Sequence, residues 1–200
     1  MSRLAGVAAA ILAGGGATRM GGRPKSFLTA GGRRIIDRQL ELLGAMFSEL
    51  LIVANDPHPF AELGLPVVPD GVPGQGPLMG VLSALEAARA DLVVVVACDM
   101  PFLSGRALEL VADPDALEDV VIPVVAAREE PLHARYRRTC AAPIRACLSR
   151  GERRIRSFFD QVRVRWLEEP LLRDIDPDLR FLTNCNTPGE LEEADSVAGC

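Results

Sequence analysis

The sequence is poor in aromatic residues: among its 200 residues there is one tryptophan and one tyrosine. Proteins that bind single-stranded nucleic acid stack bases on aromatic side chains. The formal net charge of −5 also gives no overall basic surface for a phosphate backbone. No apolar run reaches the length of about 20 residues that a membrane-spanning helix needs. The composition therefore argues against nucleic-acid and membrane partners.

The five cysteines are widely spaced and contain no C-x-x-C pair, which argues against a disulfide framework and a zinc site. Reduced cysteines are typical of a cytoplasmic protein. The apolar residues 4–13 after Arg3 have the pattern of a short signal peptide. Cleavage near Ala13 would, however, remove the start of the glycine-rich segment described next. We therefore expect a cytoplasmic location.

A glycine-rich segment follows the apolar residues 6–11, which are typical of a buried strand. Gly14, Gly15 and Gly16 come where that strand ends, so successive backbone N–H groups can form a concave anion site. Arg19 and Lys25 add positive charge within the next ten residues. The segment is predicted to bind the phosphates of a nucleotide.

Neither of two common phosphate-binding motifs matches this segment. A Walker loop needs lysine where Gly22 stands, and the dinucleotide-binding motif needs glycine where Arg19 stands. The non-functional alternative is a glycine-rich hairpin that carries surface charge.

Apolar strand patterns alternate with helical patterns along most of the chain. Residues 92–98 are apolar at every position, which is typical of a strand buried on both faces of a mainly parallel sheet. We predict one α/β domain over residues 1–200, with a three-layer Rossmann-like fold and a mainly parallel twisted sheet flanked by helices. The predicted strands are 7–12, 50–54, 65–69, 92–98, 119–126, 132–138, 162–167 and 181–185. The predicted helices are 34–46, 78–88, 141–148, 155–159 and a last one that begins at Pro188.

Polar residues follow three of these strands: Asn55, Asp70 and Asp99. Ligands in such sheets bind at the carboxyl ends of the strands, so these side chains are expected near the glycine-rich segment. A carboxylate facing a triphosphate is suited to Mg²⁺. Asp99 is therefore the predicted metal ligand, and the alternative is that it caps the turn before Pro101.

Five segments together resemble the molybdenum cofactor guanylyltransferase family. They are residues 12–25, Gly-Pro-Leu-Met-Gly at 76–80, Cys-Asp-Met-Pro at 98–101, Gly-Glu-Arg-Arg at 151–154 and Asn-Cys-Asn-Thr-Pro at 184–188. The first and third alone indicate only the wider nucleotidyltransferase superfamily.

The resemblance implies that GMP is transferred from GTP to molybdopterin, with Mg²⁺ present and release of pyrophosphate. It implies catalytic roles for Arg19, Lys25 and Asp99, with Asp99 on the metal. The residues that it implies for nucleotide binding are Leu12, Ala13, Gly14, Gly15, Lys25, Asn55, Asp70 and Asp99. The implied partners include proteins that deliver the cofactor and molybdoenzyme chaperones. This chain departs from the family at Val53, where the family has asparagine.

Four residues are candidates for binding the second substrate: Arg153, Arg154, Asn184 and Asn186. The asparagines are also candidates for a neutral metal ligand. The non-functional alternatives are a solvated helix start for the arginines and a turn before the Pro188 helix for the asparagines. His133 is expected to be structural. The alternative functions are a cytidylyltransferase acting on the same pterin, a sugar-phosphate nucleotidylyltransferase, and a nucleotide-binding module without turnover.

Overall fold

The structure of the chain is a computed structural model that describes residues 3–14, 25–30, 32–72 and 74–196. Strands and α-helices alternate through most of these residues. The strands are β1 (Leu4–Leu12), β2 (Thr29–Ala30), β3 (Arg33–Arg34), β4 (Phe47–Val53), β5 (Val67–Val68), β6 (Leu92–Ala97), β7 (Val120–Val125), β8 (Arg128–Glu129), β9 (His133–Arg137) and β10 (Val164–Glu168). The α-helices are α1 (Ile35–Met46), α2 (Pro77–Ala87), α3 (Gly105–Ala112), α4 (Ala141–Ser149), α5 (Glu169–Arg173) and α6 (Pro188–Ser196).

The main sheet has the strand order β10-β7-β9-β6-β1-β4-β5, and β8 pairs with β7. β1 lies between β4 and β6 and is parallel to both, and β5 continues the parallel run beside β4. β9 is antiparallel to β6 and to β7, whereas β10 is parallel to β7. The prediction of a mainly parallel α/β sheet is therefore confirmed.

Helices cover both faces of this sheet because its central strands are apolar on both faces. Every residue of β6 is buried. Val94 and Val96 pack with residues of α1, α3 and α5, whereas Val93 and Val95 pack with residues of α2 and α4. Burying one valine side chain stabilises the fold by about 1.5–3 kcal/mol. Valines that alternate between the two faces therefore stabilise the packing of both helix layers on the sheet.

The predicted strand over residues 181–185 is wrong. The segment begins as a 3-10 helix, Arg180–Leu182, which follows Leu179 in the left-handed conformation at φ 53°. Phe181 is buried in the core from this turn rather than from a strand. The N–H of Cys185 donates to the carbonyl oxygen of Asp99 at 2.8 Å, and this bond joins the segment to the end of β6.

Other elements differ in type or were not predicted. Residues 155–161 form a 3-10 helix, Ile155–Gln161, instead of an α-helix. The helix α3 has no counterpart in the prediction, and Ser104 caps it by accepting a hydrogen bond from the N–H of Ala107 at 3.5 Å. The last helix begins at Pro188 as predicted. Among the helices in the described ranges, none combines the length and the apolar character that crossing a bilayer would require.

Candidate active site

Three central strands end side by side at one edge of the sheet. Leu12 is in register with Val53 of β4 and with Ala97 of β6. The N–H of Ala13 donates to the carbonyl oxygen of Val53 at 2.9 Å. The N–H of Cys98 donates to the carbonyl oxygen of Leu12 at 3.1 Å. The structure thus brings the start of the glycine-rich segment, Asn55 and Asp99 to this edge, as the sequence predicts.

The described residues at this edge line two cavities. The first, named here the Asp70 cavity, has a volume of about 340 Å³; the second, the Asp99 cavity, has about 370 Å³. Leu132 lines both, so the two adjoin. The Asp70 cavity is lined by Leu12, Gly14, Val53, Asn55, Asp70, Gly74, Gly76, Pro77, Gly80 and Leu132. The Asp99 cavity is lined by Ala97, Asp99, Met100, Glu130, Pro131, Leu132, Asn184 and Asn186.

Asn55 and Asp70 hold each other through two hydrogen bonds. The Asn55 side-chain nitrogen donates to Asp70 Oδ2 at 3.1 Å, and the Asp70 N–H donates to the Asn55 side-chain oxygen at 2.9 Å. Asp70 Oδ1 is buried and accepts no hydrogen bond from a described residue. Burial raises the pKa of the Asp70 carboxyl, and the bond from Asn55 opposes that rise. Asp70 lines the Asp70 cavity, so its carboxylate is the acidic group that a ligand there would meet.

Glycines allow the backbone to approach closely around the Asp70 cavity. A Cβ on Gly80 would overlap Cδ2 of Leu12, so the side chain of Leu12 lies directly against the first turn of α2. A Cβ on Gly14 would lie 3.5 Å from Asp70 Oδ2. Gly76 precedes α2 with φ 76°, a conformation that favours glycine.

Lys25 lies between Asp99 and Asn186. Its amino group donates to the Asn186 side-chain oxygen at 2.5 Å and lies 3.8 Å from Asp99 Oδ2. The side chains of Lys25 and Asp99 are only about one fifth exposed, at 22% and 20%. Burial raises the pKa of the Asp99 carboxyl, and the positive charge of Lys25 opposes the rise. This pair therefore places a positive and a negative charge next to each other at the wall of the Asp99 cavity.

The oxygen donors of the Asp99 cavity are compatible with a magnesium ion. Within the described ranges, no three His, Cys, Asp or Glu side chains are grouped closely enough to hold a metal by themselves. Mg²⁺ in nucleotide enzymes is commonly held by one or two carboxylates, with waters and substrate phosphates completing its shell. Asp99 supplies such a carboxylate, and the side-chain oxygen of Asn184 on the same cavity wall is a neutral donor of the same kind.

The structure separates the four residues predicted for the second substrate. Asn184 and Asn186 line the Asp99 cavity. Arg153, by contrast, has its carbonyl oxygen 3.7 Å from the position of a Cβ on Gly76, which lines the Asp70 cavity. Arg154 follows it and is exposed. Gly15 and Arg19 lie outside the described residues.

Two site residues were missed from the sequence. The buried Gln39 of α1 donates to the carbonyl oxygens of Ala97 and Met100, at 2.8 and 2.9 Å, and so fixes the turn that carries Asp99. The sequence feature that could have identified Gln39 is that it is a single polar residue within the apolar stripe of a helix. Glu130, in the turn between β8 and β9, lines the Asp99 cavity, and no sequence pattern marked it.

Comparisons with known proteins agree with this arrangement. The profile of the family described as MobA-like NTP transferase domain matches residues 9–166. A molybdenum cofactor guanylyltransferase from Desulfosudis oleivorans is 34% identical over 188 residues, which cover 94% of this chain and 93% of that protein. A probable molybdenum cofactor guanylyltransferase from Carboxydothermus hydrogenoformans is 36% identical, with 92% of each chain covered.

A solved structure has the same fold over nearly its whole length. The crystal structure of molybdopterin-guanine dinucleotide biosynthesis protein A from Archaeoglobus fulgidus superimposes with a TM-score of 0.80 at 27% identity, covering 96% of this chain and 98% of that one. The resemblance found in the sequence motifs is therefore confirmed. The chain belongs to the MobA-like NTP transferase family and is a nucleotidyltransferase.

Proposed function

We propose that this protein transfers the GMP group of GTP to the phosphate of molybdopterin, forming the guanine dinucleotide and releasing pyrophosphate. The observation that carries the proposal is the pair of adjoining cavities at the carboxyl edge of the sheet, with Leu132 shared between them. One cavity can take the nucleoside and the other the acceptor, so that the phosphates meet near Lys25 and Asp99. The names of the relatives support guanylyl transfer to this acceptor.

The Asp70 cavity suits a nucleoside because apolar walls enclose a few polar groups. Leu12, Val53 and Leu132 provide apolar contacts, and the carboxylate of Asp70 is a hydrogen-bond acceptor among them. Val53 is buried on this wall, so it contributes packing where the family has an asparagine side chain. Because the N–H of Ala13 is already bonded within the sheet, its contact with the nucleotide would come through its remaining backbone atoms and Cβ.

In the proposed reaction an acceptor phosphate oxygen attacks the α-phosphorus of GTP, and the bond from that phosphorus to the bridging oxygen of the β-phosphate breaks. The electron pair leaves with pyrophosphate. The Lys25 ammonium, held by Asn186, is placed to stabilise negative charge on the phosphates. Arg19 is proposed to assist on the leaving group. Mg²⁺ held by Asp99 would neutralise charge on phosphate oxygens. The protein contributes mainly position and electrostatics, as is usual for phosphoryl transfer.

The organisation of the chain follows from this reaction. We propose that residues 1–200 act as one domain, whose N-terminal half binds the nucleotide and whose C-terminal half binds the acceptor. The proposed location is the cytoplasm. Proteins that deliver the cofactor or receive the product are proposed as partners.

The alternative functions receive less support. Relatives named guanylyltransferase favour GTP over CTP and favour the pterin acceptor over a sugar phosphate. A binding module without turnover would have no need for a partly buried Lys25–Asp99 pair.

The proposal is tested by incubating the purified protein with molybdopterin, Mg²⁺ and either GTP or CTP labelled at the α-phosphate. We expect labelled dinucleotide and pyrophosphate from GTP. Dinucleotide from CTP alone, or none from either nucleotide, would overturn the proposal.

A matched pair of variants tests whether the nucleotide binds in the Asp70 cavity. Asp70→Asn should raise the KM for GTP about 10-fold or more, because the substituted amide no longer offers two acceptor oxygens. Asp56→Asn removes a carboxylate next to Asn55 that is exposed and lies outside both cavity linings, so its KM should be that of the wild type.

A further inference from the structure

Glu130 lies at the Asp99 cavity, and its side chain has no hydrogen-bond or ion-pair partner among the residues that the structure describes. Glu130 lines that cavity together with Asp99, Asn184 and Asn186. Its carboxylate makes no hydrogen bond or ion pair with any residue in the described ranges, although it is partly buried. A partly buried carboxylate with both oxygens available is an acceptor for a ligand that enters this cavity.

The backbone on both sides of Glu130 is fixed to the sheet. Its N–H donates to the carbonyl oxygen of Pro123 at 2.9 Å, and its carbonyl oxygen accepts from the N–H of His133 at 3.0 Å. Two residues later, the carbonyl oxygen of Leu132 accepts from the N–H of Ala97 at 2.9 Å. Glu130 therefore lies in a turn between β8 and β9 whose backbone is fixed by hydrogen bonds to the sheet. Burial raises the pKa of this carboxyl, and the nearby charge of Arg128 opposes that rise.

A carboxylate with two available oxygens pairs best with two N–H donors that lie side by side. The 2-amino-4-oxopyrimidine ring of a pterin presents such an edge, formed by its exocyclic amino group and the adjacent ring N–H. Hydrogen bonds to an ionised group are about twice as strong as neutral ones. We infer that Glu130 binds this edge of the pterin in the acceptor and so determines the specificity of the Asp99 cavity.

Guanine presents the same edge. Which of the two rings Glu130 would bind therefore depends on the cavity in which it lies. Glu130 lines the Asp99 cavity and is absent from the lining of the Asp70 cavity, where Asn55 and Asp70 stand. Leu132 forms part of the boundary between them. This assignment rests on the proposed function, in which the Asp70 cavity holds the guanine nucleoside.

The first experiment compares Glu130→Gln with Glu129→Gln in steady-state kinetics. The glutamine keeps the size of the side chain but replaces one acceptor oxygen with an NH₂ donor that opposes the donors of the pterin. We expect the KM for molybdopterin to rise about 10- to 100-fold, with the KM for GTP within about two-fold of the wild type. Glu129, which pairs with Arg156 at 3.3 Å and lies outside both cavity linings, is the matched control and should leave both KM values unchanged.

The second experiment needs no turnover. Fluorescence titration measures binding of 6-hydroxymethylpterin and of the corresponding lumazine, in which a carbonyl oxygen replaces the 2-amino group. The wild type should prefer the pterin by about 10-fold or more, since the lumazine oxygen would face the carboxylate. Glu130→Gln should lose most of that preference because its amide can donate to the lumazine oxygen.

Three results overturn the role of Glu130: no preference for the pterin in the wild type, an unchanged preference in Glu130→Gln, or a rise confined to the KM for GTP. The proposed function fails in a different way. If the wild type prefers the pterin through Glu130 but forms no dinucleotide from GTP, guanylyl transfer is refuted, whereas the assignment of Glu130 to the pterin is retained.

Discussion

The amino group of Lys25 lies 2.5 Å from the side-chain oxygen of Asn186, a residue 161 positions later in the chain. Asn186 is itself held in place, because its N–H donates to Glu190 Oε2 at 2.7 Å. Glu190 in turn donates from its N–H to Thr187 Oγ1 at 3.2 Å, at the start of α6. The C-terminal segment thus fixes a cation of the N-terminal half beside Asp99.

The first prediction concerns this contact. Lys25→Met should lower kcat by about 10²–10³, as the loss of a preorganised donor to a developing negative charge does in other enzymes. Asn186→Ala should lower kcat by about 10-fold, because the lysine remains but is no longer held in one position. Steady-state kinetics with GTP and molybdopterin measure both effects.

The double variant tests whether Asn186 acts through Lys25. If it does, Lys25→Met combined with Asn186→Ala is no slower than Lys25→Met alone. A further ten-fold loss in the double variant would show that Asn186 contacts a substrate directly. Asn184→Ala, which removes the neighbouring asparagine of the same cavity, serves for comparison and should leave the effect of Lys25→Met unchanged.

The second prediction concerns Asp99. Asp99→Ala should lower kcat more than Lys25→Met does, by more than about 10³, because it removes the proposed magnesium ligand as well as the partner of Lys25. Raising the Mg²⁺ concentration should recover part of the activity in Asp99→Asn, which keeps one oxygen donor, but not in Asp99→Ala. Turnover near the wild-type rate in Asp99→Ala would exclude Asp99 from the reaction.

The sequence predicted the central sheet and its carboxyl edge well because both depend on local patterns. The apolar residues of β6 and the polar Asp99 after them are signals that neighbours in the chain provide. The contact between Lys25 and Asn186 could not be predicted in this way, since it depends on how α6 packs against the opposite end of the chain. Glu130 was missed because a turn between two short strands has no periodicity. The apolar pattern around Phe181 is the same for a buried strand and a buried 3-10 turn, which explains the wrong prediction there.

The third prediction concerns the contact of Gly80 with Leu12. In Gly80→Ala the added methyl group overlaps Cδ2 of Leu12, so the leucine must turn away from α2. The space beside it is the Asp70 cavity, which Leu12 already lines. We therefore expect the KM for GTP to rise about 10-fold, with little change in the free energy of unfolding, because the end of the leucine side chain has open space into which it can turn.

Gly44, in α1, is the matched glycine for this test. Among the described residues outside its own helix backbone, a Cβ there would meet Cδ1 of Leu50 at 3.9 Å, an ordinary contact. Gly44→Ala should therefore raise the free energy of unfolding by about 0.5–1 kcal/mol and leave the KM for GTP unchanged. Equal effects of the two substitutions on the KM would refute the role of the Leu12 contact.

The fourth prediction concerns His133, which is fully buried beside the ring of Phe181, with 5.2 Å between the ring centroids. Neither ring nitrogen has a hydrogen-bond partner among the described residues. Burial lowers the pKa of His133 from 6.5 to about 4. Between these two pH values the unfolded chain binds a proton that the folded chain does not. The stability is therefore intact above pH 6.5 and falls as the pH decreases toward 4, by about 3 kcal/mol over the full interval.

Urea unfolding at a series of pH values measures this loss, and the second histidine of the chain gives the control. His133→Phe keeps a planar ring without titratable nitrogens, so its free energy of unfolding should fall less steeply between pH 6.5 and 4 than that of the wild type. His58 is 92% exposed, so His58→Gln should keep the wild-type slope. If His133→Phe follows the wild-type curve over the whole range, other groups cause the acid sensitivity, because a neutral ring at position 133 can contribute no difference in proton binding.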